Sequence, residues 1–262
     1  MQNKHVGKLL IISVIMALFR TTVIIFNMET DLNDSYYLRN NYQTVTFAVG
    51  AVICIALLTV LAIYSGKGKR VVLKNESNLM FVSSCMLSFM IVGVAVIYGV
   101  SYFMNALENQ SGLDILCVVF AVISAFAIIL SRLRSFSAEI NSVLALAPLL
   151  WTVLRLINDF MKSNTSPLSA SGAYHILSLV FLVLYFMCRG KAFLSKGSGA
   201  LYLLFGYCAV FFLSVYALPN LVMHCLGFFV FDYEASLSAV DIVIAAYVVS
   251  GIASSNLIKA EE

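Results

Sequence analysis

Charge is what this sequence has least of. Only 11% of its 262 residues are Asp, Glu, Lys or Arg, while 61% are hydrophobic; a globular chain carries about a quarter charged and about half apolar residues. A soluble fold of this size needs a polar surface that the sequence does not supply, so the class implied is membrane-embedded. Motifs that would name a reaction are missing too. There is no Gly-x-Ser-x-Gly elbow, no His-Glu-x-x-His and no paired-aspartate motif, which argues against an intramembrane enzyme. The six cysteines (Cys54, Cys85, Cys117, Cys188, Cys208, Cys225) form no Cys-x-x-Cys and no Cys/His cluster, so they read as small apolar fillers, with no metal and no cofactor expected. The basic residues are not pooled in one patch or tail, which argues against nucleic acid. No loop exceeds roughly fifteen residues, too short for a folded soluble module.

What is present is a series of apolar runs near the roughly 20 residues that a hydrocarbon core requires. Eight are read as spans, at residues 9–27, 44–64, 79–102, 115–131, 139–160, 173–188, 200–217 and 236–258. Residues 221–231 are apolar but too few to span, and read as an interfacial helix. The first run has no small-residue cleavage site after it and reads as a retained helix. The expected fold is therefore all-α, a polytopic helical bundle forming one transmembrane domain. Between the spans, Lys4, Lys8, Lys67, Lys69, Arg70, Lys74, Arg132, Arg134, Arg189, Lys191, Lys196 and Lys259 fall on one side, twelve cations, and Arg39 and Lys162 on the other, two. By the positive-inside rule both termini are cytoplasmic. A weak four-plus-four repeat is also expected, since spans one and five each carry an arginine (Arg20, Arg155), spans two and six exit into Gly-Lys turns, and spans four and eight begin near Asp114 and Asp241.

Charges within spans cost roughly 2.5–3.5 kcal/mol each on insertion scales, so they face the protein interior and seek partners. At about 1.5 Å per residue, Arg20, Arg155 and Asp241 fall in one layer towards the outer face. Span five concentrates the unusual chemistry: Trp151, Arg155 and Asp159 are spaced four apart on one helix face, where Arg155 and Asp159 can pair, and Pro148 one turn below is expected to bend the helix. Arg20, Arg155, Asp159 and Asp241, with Trp151 on the same face and His175 or His224 at the rim, are the candidate ligand-binding residues. Two arginines against two aspartates sum to zero, which equally describes a clamp of internal ion pairs. The stripe Ala246, Ser250, Ser254 permits close helix packing.

The segment Pro148-Leu149-Leu150-Trp151-x-x-x-Arg155, followed by Asp159-Phe160, resembles an uncharacterised family of multi-spanning membrane proteins of anaerobic Gram-positive bacteria, over residues 139–220. The resemblance implies a membrane location and assigns no activity. The expectation is a multi-pass protein of the bacterial cytoplasmic membrane whose partner is the lipid bilayer, acting as a small-solute binding or transport component. The alternative is a structural, sensory or regulatory subunit working through another membrane or cytoplasmic chain.

Overall fold

The computed structural model describes residues 2–30, 42–73, 78–103, 112–133, 136–163, 170–226 and 235–259. Among them the helices are α1 (Gln2–Thr30), α2 (Tyr42–Gly66), α3 (Asn78–Phe103), α4 (Gly112–Leu133), α5 (Ala138–Leu144), α6 (Leu146–Ser163), α7 (Ala170–Phe193), α8 (Gly199–Cys225) and α9 (Ala235–Ser254). Eight segments are long and apolar enough to cross a membrane, with α5 and α6 together supplying one of them. This is the construction of a multi-pass membrane protein.

Helix α8 is the axis of the bundle. It packs against α7, α9, α1 and α2, and 72% of its apolar span lies inside the protein, against 22% for that of α2. Its aromatic residues Tyr202, Tyr207 and Phe211 are fully buried, so the side chains that fill the centre come largely from one helix. A second set of contacts closes a ring: α8 on α9, α9 on α3, α3 on α4, α4 on α6, α6 on α7 and α7 back on α8.

Two short strands, β1 (Lys69–Leu73) and β2 (Ser255–Lys259), amend the all-α expectation. They pair antiparallel with Val71 opposite Leu257, and the Val71 amide also donates to the Gly197 carbonyl at 3.2 Å. The chain leaving α2, the turn before α8 and the chain leaving α9 thus share backbone hydrogen bonds at one end of the bundle. Here Val71-Val72-Leu73, read as part of the loop after the second span, and Asn256-Leu257-Ile258, read as the end of the eighth, satisfy their backbone polar groups by pairing. The turn that starts β1 needs Gly68, whose φ is 67°, in the left-handed region that glycine enters without steric cost.

Three other expectations are corrected. The fifth span is two helices: α5 stops at Leu144 and α6 begins at Leu146, with Ala145 between. The cause is Pro148, which has no N–H for the carbonyl four residues earlier, on Leu144, and whose ring crowds it. The sixth helix does not close at Cys188 but continues through Gly190 and Lys191 to Phe193, so no Gly-Lys turn forms there. Arg189 is buried, not a loop cation; its guanidinium lies 4.7 Å from the Tyr247 ring centre, and its Nη1 donates to the Tyr185 hydroxyl at 3.4 Å. Helix α8 runs unbroken through Pro219 to Cys225, so residues 221–225 extend the seventh span instead of starting an interfacial helix. The rest of that expected helix, from residue 227, lies outside the described residues. Of the small-residue stripe, Ser250 is buried and lies 2.6 Å from Ser83 Oγ on α3, which is packing within one chain, while Ala246 is exposed.

Where α2 ends it touches the start of α8: a Cβ on Gly66 would run into the backbone of Gly199 and Ala200. Backbone cannot step aside as a side-chain tip can, so Gly66→Ala is expected to destabilise the protein by about 1–3 kcal/mol. Gly93, with nothing within 4 Å of its added Cβ, is the control: Gly93→Ala leaves the thermal unfolding midpoint in detergent unlowered, while Gly66→Ala lowers it.

Candidate functional site

The polar residues buried or, in the case of Asp159, half-buried towards the end opposite the strands come from six helices: Arg20 of α1, Asp114 of α4, Arg155, Asn158 and Asp159 of α6, His175 of α7, Tyr216 of α8 and Asp241 of α9. Helix α6 is the hub. Its spacing puts Trp151, Arg155 and Asp159 on one face, and the neighbouring position Asn158 faces α4.

Arg155 meets Asp241 as a two-pronged pair. Nη1 donates to Oδ1 at 2.6 Å and Nη2 to Oδ2 at 2.9 Å. Asp241 is fully buried and Arg155 only 6% exposed, so both charges are shielded from solvent. The parallel fork is the geometry in which a guanidinium holds a carboxylate most strongly. Helix spacing alone favoured Asp159 as the partner of Arg155. That contact exists but is long, 3.9 Å from Nε, because α9 delivers a carboxylate directly onto the fork. Asp159 instead faces His175, whose Nε2 is 2.9 Å from Oδ2.

His175 is not at a rim. It is 2% exposed, its ring centre 4.3 Å from that of Tyr216, and its other nitrogen, Nδ1, lies 3.7 Å from Asp241 Oδ2. The imidazole is thus set between two carboxylates. His224, by contrast, is exposed at the end of α8 and away from this group.

Arg20 belongs to the same layer but has another task. Its Nη1 donates to the Val215 carbonyl at 2.6 Å. That carbonyl is four residues before Pro219 and therefore receives no helical N–H. In a medium without water an unpaired carbonyl costs several kcal/mol, and the guanidinium removes that cost. The same group lies 4.8 Å from the Tyr174 ring centre, a cation–π contact. Arg20 and Arg155, placed alike in the expected repeat, therefore have unlike partners, a carbonyl and a carboxylate.

Asp114 and Asn158 were not singled out as site residues by the sequence, yet they complete the layer: Asn158 Nδ2 donates to Asp114 Oδ1 at 2.9 Å, and both are buried. Asp114 could have been found by depth, since it opens the fourth span as Asp241 opens the eighth. Asn158 carries no charge to draw notice.

Between α3, α4, α6 and α9 lies a partly open cavity of about 60 Å³. Its polar wall is Tyr98, Asp114, Arg155, Asn158 and Asp159, with the Trp151 ring beside Arg155, 6.0 Å from the guanidinium carbon. The remaining wall is aliphatic, from Ile91 and Val94 on α3 to Val240 on α9, apart from Cys117. A single water needs about 10–15 Å³ on this measure, so the space suits a small molecule. Among the described residues, no set of His, Cys, Asp and Glu side chains is placed to hold a metal ion.

Of the six sequence-derived candidates, the structure joins Arg155, Asp159, Asp241 and His175 in one network, sets Trp151 on the cavity wall and directs Arg20 to the backbone. Breaking the fork strands a buried charge, so Arg155→Met and Asp241→Leu are each expected to lose about 3–5 kcal/mol. The double variant removes both charges and is expected to lie nearer the wild type than either single variant, as thermal unfolding of the four proteins in nanodiscs would show. A double variant as weak as the sum of its singles would mean that the two residues act independently.

Comparison of the chain with protein-family models, with curated proteins and with solved structures gives no match.

Proposed function

We propose that the protein is a small-solute binding or transport component of a cell membrane, and that the cavity between α3, α4, α6 and α9 is where the solute sits. One observation carries this reading. Charged residues within an apolar bundle border open space instead of being wholly packed against one another. Ion pairs that served only to clamp helices would be expected to be packed over completely, because every exposed polar edge in lipid needs a partner. A partly apolar pocket with a few convergent polar groups is the usual form of a small-molecule site. The reading is of binding, not of chemistry on the solute. With eleven cations against two once the buried Arg189 is set aside, the strand end and both termini face the cytoplasm and the polar layer lies in the outward half.

The second reading, a structural or regulatory subunit, draws on a different observation: the Arg155–Asp241 fork ties α6 to α9 across the bundle, as an internal clamp would. The two readings part on the cavity itself. Ala121 lines it and is buried, so Ala121→Leu fills space while leaving every charge in place. Under the binding reading, at least one member of a small-solute library raises the thermal midpoint of the wild type and not that of Ala121→Leu. If no member shifts the wild type, the clamp reading stands. The orientation is checked separately: a reporter fused after Glu262 is expected to be active only in the cytoplasm.

A further inference from the structure

Resting on the solute-binding reading above, we propose that the cavity takes a small neutral molecule, a carbonyl compound of roughly four to six heavy atoms. Its oxygen would accept a hydrogen bond from the indole N–H of Trp151, and its alkyl part would lie along the aliphatic wall.

Trp151 carries this assignment. The residue is only 7% exposed and lines the cavity. An indole nitrogen donates and cannot accept, and a tryptophan buried to this degree ordinarily has a partner for its N–H. The N–H of Trp151 has none among the described residues. In a bundle surrounded by lipid an unused donor is costly, and a carbonyl oxygen held in the cavity removes that cost.

The other polar groups argue against a charged solute. On the described wall the charged side chains are Asp114, Arg155 and Asp159, and all three are engaged within the protein. Both terminal nitrogens of Arg155 donate to Asp241, Asp114 accepts from Asn158 at 2.9 Å, and Asp159 lies 2.9 Å from His175 Nε2. Tyr98 and Cys117, also on the wall, are not without partners either. A charge brought away from water needs an opposite charge or several hydrogen bonds, and it would obtain them here by drawing side chains away from the partners they have. A neutral solute leaves every one of these contacts in place.

Much of the remaining wall is hydrocarbon, from Ile91, Val94, Val118 and Val240. A molecule with one acceptor and a short apolar body therefore matches both the indole donor and the surface around it.

The test sets three probes of matched size against the purified full chain: N,N-dimethylacetamide, which is neutral and accepts hydrogen bonds without donating any, butyrate and n-pentylammonium. Trp151 is the only tryptophan in the chain, so in nanodiscs built with a tryptophan-free scaffold its emission reports on the cavity directly, beside the thermal midpoint. Dimethylacetamide is expected to raise the wild-type midpoint by roughly 3 °C or more near saturation and to change the tryptophan emission saturably, and the two charged probes to do much less. Trp151→Phe, which keeps an aromatic ring and loses the donor, is expected to weaken the apparent affinity about three- to tenfold. A charged probe that stabilises the wild type as well as dimethylacetamide does overturns neutrality while the solute site survives. A rise in midpoint without a change in emission, or a response of Ala121→Leu equal to that of the wild type, puts the ligand elsewhere and overturns the assignment. Undiminished binding to Trp151→Phe overturns the hydrogen bond. If no probe moves the wild type, the neutral carbonyl class is overturned, and the full library then decides the solute reading. Charge and position are read from the wild type alone, so neither depends on the variants folding.

Discussion

The fork between Arg155 and Asp241 fixes the arrangement of this bundle more than any other contact. Hydrophobic burial cannot choose between ways of assembling apolar helices in lipid, because a leucine facing lipid and a leucine facing another helix lie in similar surroundings. A buried guanidinium can choose, since leaving it unpaired costs several kcal/mol. It has one fully buried carboxylate within reach of both terminal nitrogens, and meeting it ties α6 to α9 across the interior. With α9 packed on α8 and α6 on α7, that tie spans the ring of helices. The fork thus fixes which helices face one another across the bundle, whatever its net contribution to stability.

The same rule, that no polar group goes unpartnered away from water, explains the two prolines that lie inside spans. Pro148 is resolved by breaking the helix: α5 ends at Leu144 and α6 begins at Leu146. Pro219 is resolved without a break, because Arg20 reaches the carbonyl it vacates. One proline is met by a change of fold and the other by a side chain from a distant part of the sequence. The difference decides whether the expected helix boundary is real.

That difference also marks what was legible in the sequence. Span number and approximate position follow from apolar length, a local property, and all eight are present. The polar layer was legible too, since depth along a helix follows from counting residues, and Arg155 and Asp241 do meet. Partner choice was not. Spacing offered Asp159 to Arg155, but helix spacing says nothing about what a neighbouring helix presents, and Asp241 took the fork. Arg189 misled because a cation at a span end looks like a loop anchor; the Tyr247 ring 4.7 Å from the guanidinium carbon and the Tyr185 hydroxyl that accepts from Nη1 let it stay inside. The pairing of β1 with β2 joins segments 182 to 190 residues apart, and five-residue segments of mixed polarity beside spans carry no signal of their own.

The position of the cavity follows from the hub. Arg155 and Asn158 stand three residues apart on α6, so their side chains leave the helix on neighbouring lines. One reaches α9 and the other α4, and each ends on a buried aspartate. Helix α3 packs against both α4 and α9 from the other side. Two polar ties that diverge from one helix and end on two others define four walls, and the space between them cannot be filled by the ties themselves. Trp151, one turn below Arg155, borders this space, and Asp159, one turn above, adds a further carboxylate to its wall. A clamp needs only the first tie. The second tie, the bordering aromatic ring and the additional carboxylate are what turn a fastening between helices into a place for a ligand.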